Sequence, residues 1–296
     1  MKLNIFIIKG KTLILVLFSL IVILCAILLF SNTLNTYNKA IPTMSKPKFE
    51  KYLKDDLNGD GKPDLLYITC KNDIYYMETH INNKTYFFNT KNPLGEYLSF
   101  WPLSVKLIDI NNDLIPEIIT QSSFEDKSIF HTFLWDGNEF KDIVSSGSNF
   151  IGIFNNKNPV LLLSSIPDSS ANLYSIENSK LTNIPLDNMS HLILNTINAF
   201  IGYIEGRNTL DDLKLFSDNI SKDEKSDFYN LKNDDYKYIF QDCFLEETSS
   251  SNSSSNEYLI NLNFKGYLDN DFKQVNLILS LAKVENNLKV TSFKIN

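Results

Sequence analysis

The sequence contains no C-x-x-C, H-E-x-x-H or G-x-S-x-G pattern and no Walker-type phosphate loop. That removes the commonest redox, zinc, hydrolase and nucleotide-binding signatures. Histidine is scarce: His80, His131 and His191 are the only three, and each lies on or beside a strand-like run or a helix start, where a structural role outweighs a ligand role. Of three cysteines, Cys25 falls in a long apolar run, and Cys70 and Cys243 sit in strand-like apolar segments. Two buried thiols are expected there rather than a disulfide. Positive charge is in deficit, with 28 Lys and Arg against 35 Asp and Glu and a net charge of −7. Without a basic patch no nucleic-acid partner is expected, whereas an acidic surface suits cations, calcium first among them. Glycine is sparse and Asn and Lys are abundant, which fits an AT-rich genome and a Gram-positive bacterial envelope.

Charge is absent altogether from Thr12 to Phe30. A helix of that length reaches about 28 Å, close to the roughly 30 Å hydrocarbon core of a bilayer. Residues 12–30 therefore read as a transmembrane anchor. A cleaved signal peptide and a lipoprotein at Cys25 are the alternatives, but there is no A-x-A site after the run and Leu24 precedes the cysteine where a lipobox has a small residue. Lys2, Lys9 and Lys11 make residues 1–11 a cytoplasmic tail by the positive-inside rule and place the folded part outside the cell.

Residues 31–48 are polar, contain Pro42 and Pro47 and lack apolar periodicity, the composition of a stalk. Residues 49–187 form a succession of short β-branched and aromatic runs separated by Asn, Asp, Gly and Pro, with a hairpin signal at Trp135-Asp136-Gly137-Asn138. One pattern recurs: turn, proline, apolar strand. It reads Gly61-Lys62-Pro63-Asp64-Leu65-Leu66, then Leu114-Ile115-Pro116-Glu117-Ile118-Ile119, and more faintly Lys157-Asn158-Pro159-Val160-Leu161-Leu162. The intervals match one four-stranded unit, so repeats of propeller-blade type are expected, either in a partial ring capped by the following domain or with a further degenerate blade. Residues 188–296 change period. Ile193, Ile197, Phe200, Ile201 and Ile204 line one face of a helix that stops at Gly206, and Thr209 with Asp212 and Ser221 with Glu224 read as capping boxes. Four strands follow, over 236–246, 258–267, 275–284 and 288–295. Helices followed by a curved antiparallel sheet define an α+β unit.

The most specific segment is Asp56-Leu57-Asn58-Gly59-Asp60-Gly61-Lys62-Pro63-Asp64. Calcium takes six to eight oxygens, and the first, third, fifth, seventh and ninth positions offer them from Asp56, Asn58, Asp60, the Lys62 carbonyl and Asp64, with Gly61 allowing the sharp turn. The twelfth position is Tyr67 rather than Glu, and the flanks are strands, which disfavours an EF-hand. A second copy keeps Asp109, Asn111, Asp113 and Glu117 but has Leu114 where the turn glycine belongs. Weaker binding, or none, is expected there. The alternative for both is an Asx-rich turn held by its own side chains.

A loop of this form running directly into an apolar strand resembles the FG-GAP or VCBS repeat of bacterial surface proteins. The resemblance implies structural Ca2+ on the residues just named. The helices-then-four-strands order is similar to the nuclear transport factor 2-like (SnoaL-like) cone, a fold with both enzymatic and non-catalytic members. The expected whole is an N-terminal transmembrane helix, a mainly β part of partial β-propeller-like repeats over 49–187, and an α+β cone-like domain over 188–296. Its expected role is a non-enzymatic, calcium-binding interaction or scaffold protein with envelope proteins or cell-wall polymer as partners. A small-ligand or enzymatic cone pocket, or a scaffold in a secretion, conjugation or sporulation machine, is the alternative.

Overall fold

The computed structural model describes residues 50–154, 160–167, 170–177, 180–209, 215–233, 235–248, 257–269, 271–285 and 287–295. The expected cytoplasmic tail, the anchor at 12–30, the stalk, the turn of the faint third copy at Lys157-Asn158-Pro159 and the Thr209–Asp212 capping box fall wholly or partly outside them.

The first sheet is a meander of β1 (Glu50–Asp55), β2 (Asp64–Lys71), β3 (Ile74–Ile81) and β4 (Lys84–Phe87). The second repeats it with β5 (Ser104–Ile108), β6 (Glu117–Phe124), β7 (Lys127–Trp135) and β8 (Phe140–Ser146). Equivalent turns carry the same backbone signature. Asn72 and Asp73 join β2 to β3 at φ +53° and +61°, and Glu125 and Asp126 join β6 to β7 at +52° and +58°. Two consecutive positive φ angles give the turn whose twist matches that of the strands. The Asp136-Gly137 hairpin also forms: Asp136 Oδ1 accepts from Asn138 N and Glu139 N, each at 2.9 Å.

A third meander, β9 (Phe150–Phe154), β10 (Val160–Ser165), β11 (Ser170–Glu177) and β12 (Lys180–Ile184), does not stand alone. After α1 (Asn188–Ile204) and α2 (Lys222–Lys232), the chain returns as β13 (Lys237–Thr248), which pairs in parallel with β9. β14 (Glu257–Leu268), β15 (Asp271–Val284) and β16 (Asn287–Ile295) extend it to an eight-stranded sheet ordered β12-β11-β10-β9-β13-β14-β15-β16.

Strand alternation builds the layers. Leu66, Ile68 and Met77 of the first sheet meet Ile118 and Phe133 of the second. The neighbouring residues Ile119, Phe130 and Leu134 point the other way, onto Ile151, Ile153, Leu161 and Leu163 of the third. Phe150 and Leu162 then face a further core with Ile193, Ile197, Phe200 and Ile201 of α1. β6 is consequently buried from Glu117 to Ser123, as a strand between two layers must be.

Two expectations are corrected. The C-terminal strands do not make a separate α+β cone with the helices, because the edge of β13 is taken by β9 and the sheet runs on into the third meander. Where a cone would enclose a pocket, aromatic rings pack together: Phe228 lies 5.0 Å from Phe200, 5.1 Å from Phe216 and 5.6 Å from Phe293 between centroids. The three four-stranded meanders pack face to face in succession. The expected single-pass membrane protein is corrected as well. Among the described residues the fold is mainly β with the two helices α1 and α2, and no helix is long and apolar enough to cross a membrane.

Candidate metal centre

Each candidate loop joins the first strand of its meander to the second. In the first loop, Asp56 Oδ1 accepts from Gly59 N at 2.8 Å and Asp60 N at 3.1 Å, and its Oδ2 accepts from Gly61 N at 2.8 Å. Asn58 Oδ1 accepts from Asp60 N at 3.1 Å, and Asp60 Oδ1 from Lys62 N at 2.9 Å. Asp64, buried at the start of β2, accepts from Leu57 N at 3.1 Å and closes the loop base, while Leu57 plugs the core between the first two sheets. Gly59 and Gly61 take φ +75° and +80°.

The second loop repeats this scaffold except for the bond that Gly59 N makes in the first. Asp109 accepts from Asp113 N at 3.2 Å and Leu114 N at 2.9 Å, Asn111 from Asp113 N at 2.9 Å, and Asp113 from Ile115 N at 2.8 Å. Glu117 Oε2 accepts from the buried Ile110 N at 2.7 Å, as Asp64 does from Leu57. Asn112 and Leu114 occupy the glycine places at φ +61° and +70°. The longer Glu117 reaches further than Asp64, and its Oε1 also takes the Asn111 amide at 2.8 Å. The loops are neighbours: a Cβ on Gly59 would lie 2.8 Å from Ile115 Cδ1.

Like charge accumulates at both loop bases. Burial, and behind it the Asp60 and Asp56 carboxylates, raises the Asp64 pKa against the pull of the Leu57 N–H. Burial pushes Glu117 up to about 8, with Asp113 and Asp109 adding to it. At Asp60 the hydrogen bond from Asn82 is the main cause of a lowered pKa. Among the described residues no three His, Cys, Asp or Glu side chains form a ready cluster for a metal ion. The donors are instead mixed: carboxylate, amide and main-chain oxygens, all hard, the set that a hard cation such as calcium prefers. By donor chemistry the residues fit calcium.

The structure thus brings Asp56, Asn58, Asp60 and Asp64 into one loop, with the Lys62 N–H bonded to Asp60. Asp109, Asn111, Asp113 and Glu117 gather in the other. Asn82, which donates from Nδ2 to Asp60 Oδ2 at 2.6 Å, was not a candidate on sequence; the Asn82-Asn83 pair between two apolar runs is the hairpin signal that locates it. The histidines take no part. His131 is buried between Asp142 Oδ2 at 2.9 Å and the Pro93 carbonyl at 3.0 Å, His80 lies exposed against Glu78, and His191 is exposed on α1. Cys70 and Cys243 are both buried thiols, not joined in a disulfide.

Residues 56–120 match the FG-GAP-like repeat family, a stretch that begins at the first candidate ligand and ends inside β6. No curated protein sequence matches the chain. Among solved structures, a variant of the Aleuria aurantia lectin in complex with alpha-methyl-L-fucoside is 8% identical with a TM-score of 0.32, over 86% of this chain and 79% of the lectin. Fructan 1-exohydrolase IIa from Cichorium intybus is 10% identical with a TM-score of 0.25, over 87% of this chain and 69% of the hydrolase. At such scores neither likeness assigns a fold or an activity.

Proposed function

We propose that this protein is a non-enzymatic, calcium-binding β-repeat module that serves as an interaction scaffold. The reading is carried by the duplicated hydrogen-bond scaffold of the two loops, which holds oxygen donors at the same positions in both and lies within the FG-GAP-like match. In the first loop Asp56, Asn58, Asp60, the Lys62 carbonyl and Asp64 would hold Ca2+. In the second, Asp109, Asn111, Asp113 and Glu117 would do so more weakly, because Leu114 stands at the glycine position. A bound ion supplies positive charge where several carboxylates crowd together, and the chain does the remaining work. Asp64 and Glu117 fix the loop base to a buried N–H, and Leu57 and Ile110 anchor each loop in the core beneath it. The loop side chains are bonded to main-chain N–H groups of their own loops, and on that ground the metal is read as structural. Stiffened loops at one end of stacked sheets present a defined surface to proteins or polymers.

Thermal unfolding with and without calcium tests this. At tenfold excess over Kd, linkage gives roughly 1.4 kcal/mol, a rise of about 2 to 4 °C for a domain of this size. The rise is expected to disappear largely in Asp60→Ala. An unchanged melting temperature with millimolar calcium would reject the reading.

A further inference from the structure

The first loop offers five oxygen-bearing groups, one short of the six that calcium takes at minimum. The place where a longer loop would add a bidentate carboxylate is Tyr67. A sixth polar group reaches the loop from outside it. Asn82 opens the turn between β3 and β4 at φ +47°, and pairing of β3 with β2 carries that turn back to the loop, where its Nδ2 sits 2.6 Å from Asp60 Oδ2. A side-chain amide has a donor nitrogen and an acceptor oxygen on one rotatable group, and half a turn exchanges them. Against an unneutralised carboxylate the nitrogen must face inward, since an oxygen there would be repelled. Once a divalent cation neutralises Asp60 the preference reverses, because the cation repels the N–H dipole and attracts the carbonyl.

We infer that Asn82 is a calcium ligand delivered to the first loop by the β3–β4 hairpin, its amide turning from donor on Asp60 to oxygen donor on the ion. This rests on the calcium reading of that loop. It adds a consequence: ion binding ties the loop to a hairpin one strand away, so the β1–β2 connection and the β3–β4 turn are ordered together. The second loop has no equivalent. The residue at the matching place is Trp135, whose ring packs on Tyr86 and Phe140 at 5.2 and 5.0 Å between centroids.

The test is calorimetric titration of calcium chloride into the full-length protein carrying Asp109→Ala, so that the first loop alone reports. Asn82→Gly keeps the positive-φ turn while deleting the amide, and Asn82→Asp keeps an oxygen at the same reach. Asn82→Gly is expected to weaken affinity about tenfold at unchanged stoichiometry, and Asn82→Asp to match or exceed the parent. If Asn82 only braces Asp60 as a donor, the glycine variant will bind as well as the parent or better and the aspartate variant worse. That outcome overturns the inference and leaves the calcium reading standing. Heats in the parent indistinguishable from those of a further Asp56→Ala variant would overturn both.

Discussion

Gly61 and Leu114 hold the same place in two copies of one loop, at φ +80° and +70°, and differ in what that angle costs. A Cβ in the left-handed region meets the following carbonyl and raises the energy by roughly 1 to 2 kcal/mol. Glycine escapes this. Leu114 gains nothing in return from burial, being 87% exposed. Leu114→Gly is therefore expected to stabilise the protein by about 0.5 to 1 kcal/mol after the added freedom of the unfolded chain is deducted. Gly61→Leu should cost about 1 kcal/mol or more, since a Cβ there meets nothing within 4 Å and only the backbone angle is at issue. Urea midpoints in calcium-free buffer decide it; two shifts of the same sign would refute the assignment of these angles.

At the scale of elements, α2 shows a local signal and a tertiary one acting through a single side chain. Ser221 Oγ accepts from Glu224 N at 3.1 Å while Glu224 Oε2 accepts from Ser221 N at 3.0 Å, the reciprocal cap written in the sequence. The other carboxylate oxygen of Glu224 accepts from Phe293 N of β16 at 3.1 Å, which no local pattern announces. With these bonds the Glu224 pKa is lowered, Ser221 being the main cause. Ser221→Ala should cost about 1 kcal/mol, measured by chemical denaturation, and an unchanged midpoint would show that the cap adds nothing. The strands were legible for the same reason as the helices: alternation in β14 and the turn pairs between meanders are properties of short windows. Register was not, because which edge a strand pairs with depends on what else is near.

For the molecule as a whole, the segment leading into β5 is tied to the eight-stranded sheet by a buried carboxylate. Asp242 on β13 accepts from Trp101 Nε1 at 2.5 Å and from Asn263 Nδ2 at 2.6 Å. Full burial pushes its pKa up to about 6, against the pull of both hydrogen bonds. A carboxyl raised in the folded state makes its stabilising contribution when protonated. That contribution is complete below the unfolded pKa near 4 and is lost as pH rises through about 6. Between pH 7 and pH 5, Asp242 should add about 1 kcal/mol. Asp242→Asn removes this increment, so its stability curve should be flatter than that of the parent over the same interval. Parallel curves from urea titrations would refute the assignment.

The sequence by itself determined the things that short windows encode: strand periodicity, the α1 face, the Ser221 cap, the paired loops and the oxygen donors spaced along them. Those follow from steric and hydrogen-bonding rules that act over a few residues. It also suggested a cone and a membrane-crossing architecture that the described fold does not have. Only the tertiary structure decided that β9 takes the edge of β13, because a strand edge satisfies its N–H and C=O groups with whichever strand the packed layers bring alongside. It alone placed Asn82 beside Asp60 and Trp101 beside Asp242, since side chains far apart in the chain meet only through strand pairing and layer stacking.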